Sequence, residues 1–435
     1  MRIRFGHLAA LCGAATLALA PAAAAQASFQ SYVSIGDSLA AGFSSGSLVE
    51  THQQFSVPAH LARQAGVFAG FQQPLIGDPG IPAELTLLSL APTIVPKSDR
   101  LGAPRNLALP RPYNNMAVPG ATALDALTDN GAGRGGLSQA ILRGIGSQVE
   151  QARALNPTFV TLWIGNNDVL GAAVNGTAVE GVTLTPRPLF RQTYAGIVAA
   201  LRASGRTIVA ANLPDVTSIP FVTTIPPVVV NPTTRQPVIV NGATVPLIGP
   251  AGPLAPNTLV TLAASTFLAR GVGIPVALGG TGLPLPANVL LDAGEVATIR
   301  QYVDDNNAAI REIADAAGIR VLDVNGILRD LKQNGRTIAG VRLTADFLTG
   351  GVFSYDGVHP TDLGYAVIAN EWIAAINASG GSLPPVDLTP FLGLSSRSAQ
   401  AGTGASLSDV AGAGPWPEFS LEAWDQLRAI FPPLD

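Results

Sequence analysis

The chain has 435 residues, of which 47% are hydrophobic and 12% are charged, with a formal net charge of -4. This composition supports a large core, in one large α/β domain or in roughly two or three smaller ones. The chain carries no basic field that would attract nucleic acid, so we expect no nucleic-acid partner.

The first residues have the layout of a secretory signal peptide. Arg2 and Arg4 precede an apolar run over residues 8–20, and Ala25-Gln26-Ala27 supplies a small-residue cleavage site. A transmembrane anchor is the alternative, but the run is too short and no later segment reaches about 18 uninterrupted apolar residues. We therefore expect residues 1–27 to be removed, and the mature protein to be secreted, periplasmic or at the cell surface without an integral membrane segment.

Cysteine and histidine usage argues against disulfides, thiolate chemistry and metal. The only cysteine, Cys12, lies in the predicted signal peptide. The histidines outside that segment are His52, His60 and His359, which form no H-E-x-x-H pair. The sequence predicts neither a metal nor another cofactor.

The first predicted strand of the mature chain ends in a serine. Tyr32 to Ile35 is a β-branched and aromatic run that Gly36 and Asp37 break just before Ser38. Ligands of open α/β sheets bind outside the carboxyl ends of the strands, so a hydroxyl at this place is positioned to act as a nucleophile. The alternative is a turn serine that caps a helix beginning near Leu39.

Helices and strands alternate along the rest of the chain. Helical patterns cover about 137–155, 189–203 and 292–317 and resume near Thr361, and strand patterns cover 159–164, 207–211 and 319–323. This alternation predicts βαβ units, with a parallel sheet that carries helices on both faces.

Two long proline-rich insertions and a tail interrupt this pattern. The insertions cover about 43–112 and 213–291 and leave from the carboxyl ends of strands, so they either reach over the site or pack on small cores of their own. We predict one domain over 28–379, followed by a linker-like tail over 380–435. An amphipathic piece from Leu421 to Ile430 ends the tail, and it either docks on the body or binds a partner.

A histidine with an aspartate three residues before it stands near the C-terminus, in Asp356-Gly357-Val358-His359-Pro360. In this turn the carboxylate can meet Nδ1 of the imidazole and leave Nε2 free for a serine hydroxyl. As an isolated pair it is more often a surface turn. Its order after Ser38, with several βαβ units between, makes a serine-histidine-aspartate triad the better explanation.

A serine hydrolase also needs hydrogen-bond donors for the oxyanion that forms at the ester carbonyl. Gly120 follows a turn in which a main-chain N–H can point freely, and Asn167 follows the strongest predicted strand. Each also has a structural interpretation, as a plain turn glycine and as a turn-capping asparagine.

Four segments together resemble the SGNH or GDSL family of serine hydrolases. They are Gly36-Asp37-Ser38-Leu39, Asn115-Met116-Ala117-Val118-Pro119-Gly120, Gly165-Asn166-Asn167-Asp168 and Asp356-Gly357-Val358-His359. The resemblance implies a three-layer α/β/α sandwich, flavodoxin-like, around a parallel sheet of about five strands. It also implies that Ser38 is the nucleophile, His359 the base and Asp356 its orienter, with Gly120, Asn167 and the Ser38 N–H as oxyanion donors.

Two other motifs match weaker patterns. Gly42-Phe43-Ser44-Ser45-Gly46 fits the G-x-S-x-G elbow, but the strand has already ended at Gly36. Gly131 to Gly136 fits G-x-G-x-x-G, but no predicted strand precedes it. We therefore expect neither a nucleophile at Ser44 nor a dinucleotide site.

These observations favour a secreted esterase or lipase that acts on small-molecule or lipid esters, with apolar acyl groups preferred. A polysaccharide deacetylase or a phospholipase of the same fold is one alternative. A non-catalytic surface or binding protein is another, and labelling by an active-site serine probe separates it from an enzyme.

Overall fold

The structure, a computed structural model, describes residues 27–88, 93–133, 135–202, 206–393 and 416–431. The predicted signal peptide, apart from Ala27, lies outside these residues. Within them, no helix combines the length and the apolar character that crossing a membrane requires.

The strands and the helices are each numbered in chain order. The strands are β1 (Tyr32–Gly36), β2 (Leu85–Leu88), β3 (Thr93–Pro96), β4 (Phe159–Trp163), β5 (Thr207–Ala211), β6 (Ile239–Val240), β7 (Ala243–Thr244), β8 (Ile248–Gly249), β9 (Gly252–Pro253), β10 (Leu259–Val260), β11 (Leu290–Leu291), β12 (Arg320–Leu322), β13 (Arg336–Ile338), β14 (Val341–Leu343) and β15 (Glu418–Phe419). The helices are α1 (Ser38–Ala41), α2 (Glu50–Gln53), α3 (Val57–Gln64), α4 (Ala123–Thr128), α5 (Gly136–Leu142), α6 (Gln148–Ala154), α7 (Asn167–Asn175), α8 (Arg187–Leu201), α9 (Pro220–Thr223), α10 (Ala264–Ala269), α11 (Ala293–Ala317), α12 (Val324–Asn334), α13 (Asp362–Asn377), α14 (Thr389–Leu392) and α15 (Leu421–Ile430).

The central sheet is parallel and has the order β1-β4-β5-β12. Beyond β1, the extended segment 114–118 runs alongside as a further edge. The N–H of Ser34 donates to the Asn114 carbonyl at 2.8 Å, and the N–H of Val118 donates to the Gly36 carbonyl at 3.1 Å. Both β1 and β4 are buried at every position, as expected for strands covered by helices on both faces.

Each face of the sheet has its own apolar layer. Helices α3 and α13 cover one face, where Trp163 of β4 packs near Trp372 of α13 with ring centroids 6.2 Å apart. Helices α4, α6, α8 and α11 cover the other face, against Val33 and Ile35 of β1. The predicted three-layer α/β/α sandwich is therefore confirmed.

One predicted helix was wrong. The apolar pattern over 137–155 forms two helices, α5 and α6, and not one. Arg143 adopts a left-handed conformation with φ +59°, which ends α5. Ser147 then starts α6 through a capping box, because its side chain accepts the Glu150 N–H while the Glu150 carboxylate accepts the Ser147 N–H.

The second insertion contributes to the main core rather than forming a separate one. Phe221, Val260 and Leu262 are fully buried in the same apolar cluster as β1 and β4. The tail also packs on the body, since β15 pairs in parallel with β3 and α15 lies against α7. Both segments reach the loop that carries His359, since the Phe221 N–H donates to the Gly357 carbonyl at 2.8 Å and the Phe431 ring lies against the His359 ring.

Candidate active site

Ser38 begins α1 directly after β1. The preceding Asp37 caps this short helix, because its Oδ1 accepts the Leu39 N–H at 3.1 Å. Gly42 ends the helix with φ +81°, and the Phe43 N–H then donates to the Ser38 carbonyl at 3.1 Å. Asp37, and not Ser38, is therefore the cap of this helix. Ser38 is its first residue and lies at the carboxyl edge of the sheet.

Asp356 and His359 form a buried pair. Oδ2 of Asp356 lies 2.8 Å from Nδ1 of His359, and neither side chain is exposed. Among the described residues, Nε2 of His359 has no hydrogen-bond partner. This leaves one imidazole nitrogen oriented by a carboxylate and the other available to exchange a proton.

Four donors besides the imidazole hold the Asp356 carboxylate. Oδ1 accepts the N–H groups of Val358 and His359 at 2.9 and 2.8 Å, and the Ser354 hydroxyl lies 3.2 Å away. Oδ2 accepts the Gly46 N–H at 2.8 Å. Burial alone would raise the pKa of Asp356, but His359 and these hydrogen bonds outweigh it and lower the pKa below its usual value.

The role of Gly46 was not predicted from the sequence. In the sequence, Gly42 to Gly46 matches only the pattern of a nucleophile elbow, whereas in the structure its main chain supports Asp356. Ser44 and Ser47 bond each other through their main chains at 3.0 Å in both directions, which forms the turn that presents Gly46. A main-chain N–H donor leaves no signal in the sequence.

The two predicted oxyanion donors lie on neighbouring turns. Gly120 has φ +80°, a conformation that glycine adopts without strain. Asn167 begins α7, and its Nδ2 donates to the Ala121 carbonyl at 2.8 Å, one residue after Gly120. A side-chain amide has two N–H donors, so Asn167 keeps a second one for a ligand oxygen.

Two further buried carboxylates support the site, and sequence reasoning had given them no role. Oδ2 of Asp37 accepts Nδ2 of Asn166 at 2.8 Å, and Oδ2 of Asp168 accepts the Ala123 N–H at 2.9 Å. Burial raises the pKa of Asp37 to about 6 and that of Asp168 to about 7. The sequence could have indicated both carboxylates, because Asp37 directly precedes Ser38 and Asp168 directly follows Asn167.

Phe43 and Phe431 flank the imidazole. The Phe43 ring centroid lies 4.7 Å from that of His359, and the Phe431 ring lies 6.2 Å away at an interplanar angle of 14°. Ser38 and His359 are 1% and 0% exposed, so the centre is closed to solvent with the C-terminal segment in this position.

An apolar cavity of about 540 Å³ lies beside the loop that carries His359. Its lining includes Leu39, next to Ser38, and Val358 and Pro360, on either side of His359. Helices α12 and α13 supply most of the remaining wall, and the second insertion adds only Pro214 and Ile219. Within the described residues, no cluster of histidine, cysteine, aspartate or glutamate side chains could hold a metal ion.

Several solved structures are similar at low identity. Phospholipase A1 from Streptomyces albidoflavus NA297 is 14% identical over 80% of this chain and 98% of that chain, with a TM-score of 0.31. A family 3 carbohydrate esterase from Clostridium thermocellum is 16% identical over 80% of this chain and 98% of that one, with a TM-score of 0.32. LAE5, an α/β hydrolase enzyme from the metagenome of Lake Arreo, Spain, is 15% identical over 80% and 95%, with a TM-score of 0.35.

A comparison with curated proteins gives no match. The family model of the GDSL-like lipase/acylhydrolases matches residues 32–372, a range that includes every predicted site residue. The resemblance drawn from the four sequence segments is thereby confirmed. The chain belongs to the GDSL-like lipase/acylhydrolase family, and it is in general terms a hydrolase of esters.

Proposed function

We propose that this protein is an exported serine esterase or lipase that cleaves carboxylic esters with apolar acyl groups. The observation that carries the proposal is the buried pair of Asp356 and His359, in which Nδ1 is bound at 2.8 Å and Nε2 is unpartnered among the described residues. This is the arrangement that a general base for a serine hydroxyl requires.

In the proposed mechanism, His359 takes the proton of the Ser38 hydroxyl as Oγ attacks the ester carbonyl. Gly120, the second amide N–H of Asn167 and the Ser38 N–H stabilise the resulting oxyanion. Collapse breaks the bond to the alcohol oxygen, which receives the proton from His359, and an acyl-enzyme remains. Water then attacks the acyl carbonyl, with His359 as base again, and the acid and free Ser38 are released.

The cavity beside Leu39, Val358 and Pro360 supports an apolar acyl group. Its walls are mainly aliphatic, with Val324, Ile327 and Ile368 among the lining residues. A methylene buried against such walls contributes about 0.8 kcal/mol, so several methylenes would produce a clear preference over acetyl esters.

The proposal is tested by labelling with a fluorophosphonate probe and by a panel of esters from acetyl to long acyl chains, run beside acetylated sugars and phospholipids. We expect one labelled serine, Ser38, and the highest kcat/KM on esters with medium acyl chains. Maximal kcat/KM on acetylated sugars would favour the deacetylase, and maximal kcat/KM on phospholipids the phospholipase. A folded protein that neither labels nor hydrolyses would be a binding protein.

Export is tested separately. If residues 1–27 form a signal peptide, the protein recovered from outside the cytoplasm begins at Ser28. Recovery of the full chain with Met1 in the cytoplasm would contradict this part of the proposal.

A further inference from the structure

The C-terminal segment 416–431 covers the centre proposed above. We propose that this segment is a lid, whose helix α15 must lift away before an ester can reach Ser38. The inference rests on the proposed function, because it assigns a regulatory role at the same site.

The end of the lid lies against two parts of the catalytic centre. The Phe431 ring stacks on the His359 ring with centroids 6.2 Å apart. The Ile430 carbonyl oxygen packs on Gly120 so closely that a Cβ atom placed on Gly120 would lie 2.2 Å from it. The lid therefore contacts both the proposed base and the turn that carries a proposed oxyanion donor.

These contacts leave no room for a substrate. Ser38, His359 and Phe431 are only 1%, 0% and 3% exposed. An ester carbonyl must lie within about 3.5 Å of the serine oxygen and beside the oxyanion donors in order to react. Since the Ile430 to Phe431 end fills the approach, the closed arrangement is an inhibited one.

The lid is held by a latch on helix α7. Asn175 at the end of α7 donates from Nδ2 to the Phe431 carbonyl at 3.2 Å, and its Oδ1 accepts Nε of Arg428 at 3.1 Å. Nε1 of Trp424 donates to the Val174 carbonyl at 3.4 Å. Helix α7 begins at Asn167, so one helix carries a proposed oxyanion donor at one end and the latch at the other.

The other end of the lid is anchored more firmly. Strand β15 pairs with β3, the Phe419 N–H donates to Oγ of Ser265 at 2.7 Å, and the Ser420 N–H donates to the Ile94 carbonyl at 3.1 Å. Phe419 is fully buried. Main-chain pairing in a sheet and a buried aromatic ring fix this end. The helix has no such pairing and is held by its apolar face and a few side-chain bonds, so the opening motion pivots near Ser420.

Helix α15 is amphipathic. Its inner face is apolar, with Ala423, Trp424 and Leu427 buried, and Glu422 and Asp425 on its outer face are exposed. Such an amphipathic helix keeps its charges in water in either position. When it lifts, its apolar face becomes available to an apolar ester.

The test compares Arg428→Ala, which weakens the latch, and Phe431→Ala, which removes the ring over His359, with wild type. Arg191→Ala is the matched control. Arg191 on α8 pairs with Glu312 on α11, away from the lid. We expect the rate of Ser38 labelling by a fluorophosphonate to rise about tenfold in Arg428→Ala, the effect of losing one hydrogen bond. Phe431→Ala should raise it by at least as much, because it removes a buried ring that lies on His359. The control should label at the wild-type rate.

Amide hydrogen exchange gives a readout that does not depend on catalysis. A lid opens without global unfolding, so the amides of 421–430 should exchange faster than those of β4, and Arg428→Ala should accelerate them further. Exchange of 421–430 as slow as that of β4 would overturn the lid. Rapid and equal labelling of all variants would also overturn it, while the proposed function would stand. Fast exchange of the helix with no labelling in any variant would retain the lid and refute the esterase.

Discussion

The main-chain N–H of Gly46 donates a 2.8 Å hydrogen bond to Oδ2 of Asp356, the same oxygen that lies 2.8 Å from Nδ1 of His359. The neighbouring N–H of Ser45 donates to Oγ of Ser354 at 2.8 Å. Ser45 and Gly46 both have positive φ angles, of +49° and +68°, so this turn presents two successive N–H groups to one loop. The segment that contains the G-x-S-x-G match therefore supports the proposed orienter through its main chain.

The first prediction distinguishes the two serines. Ser38→Ala should abolish ester hydrolysis, by about a million-fold in kcat, because it removes the proposed nucleophile. Ser44→Ala should retain near-normal rates, since Ser44 contributes its main-chain bonds with Ser47 and these survive the change. Steady-state kinetics of both variants on one soluble ester decide the matter, and a dead Ser44→Ala beside an active Ser38→Ala would refute the assignment.

The second prediction concerns Asn167. Asn167→Ala should lower kcat by roughly 100- to 1000-fold, which is the usual effect of losing one oxyanion donor. Its bond to the Ala121 carbonyl is also lost, so a thermal melt is needed to show that the variant is folded. Asn257→Ala, at an exposed position of the second insertion, serves as the matched control. An effect of Asn167→Ala on KM alone would make this residue a binding group instead.

The third prediction concerns pH and the free energy of unfolding. His52 lies 2.7 Å from Asp362 and 2.8 Å from Glu84. Burial would lower its pKa, but these two carboxylates outweigh burial and raise the pKa to about 10. Charged His52 therefore contributes stability that is complete below its unfolded pKa of about 6.5 and is lost as the pH rises towards 10.

Urea unfolding at pH 7 and pH 9.5 measures this contribution. We expect His52→Asn to lose stability chiefly at pH 7, so that its stability changes less than that of wild type between the two values. His60→Asn is the control: burial lowers the pKa of His60 to about 4, so this residue stays neutral throughout the range. If the free energy of unfolding changed equally between pH 7 and pH 9.5 in wild type and His52→Asn, His52 would be uncharged in the folded protein.

The fourth prediction tests the acyl cavity. Ile327 on α12 lines it and is half-buried, so Ile327→Trp should fill part of the space without entering the tight core. If three methylenes lose their contacts, kcat/KM for long acyl chains should fall by roughly 50-fold, at about 0.8 kcal/mol for each methylene, with acetyl esters little affected. Ile327→Leu conserves volume and should keep the wild-type chain-length profile. The same profile in Ile327→Trp would locate the acyl group elsewhere.

The sheet could be predicted from the sequence because its strands are short, mostly apolar runs that a glycine, asparagine or aspartate soon interrupts. Helix α11 begins and ends where its Asp292 cap and Gly318 indicate. The break at Arg143 could not be predicted, since a left-handed arginine carries no compositional signal. For the tail, the apolar spacing of Trp424 and Leu427 indicated an amphipathic piece. It could not show whether this piece docks on the body or binds a partner, because that depends on contacts between distant parts of the chain.

The bond from Gly46 to Asp356 joins residues 310 positions apart in the chain. Contacts of such long sequence separation form late in folding, because the loss of chain entropy on closing the loop precedes their benefit. During synthesis the segment that carries Ser38 leaves the ribosome long before the loop that carries His359. Hydrolytic activity should therefore appear after the secondary structure in a refolding experiment, which makes the enzyme's own turnover a reporter of completed folding.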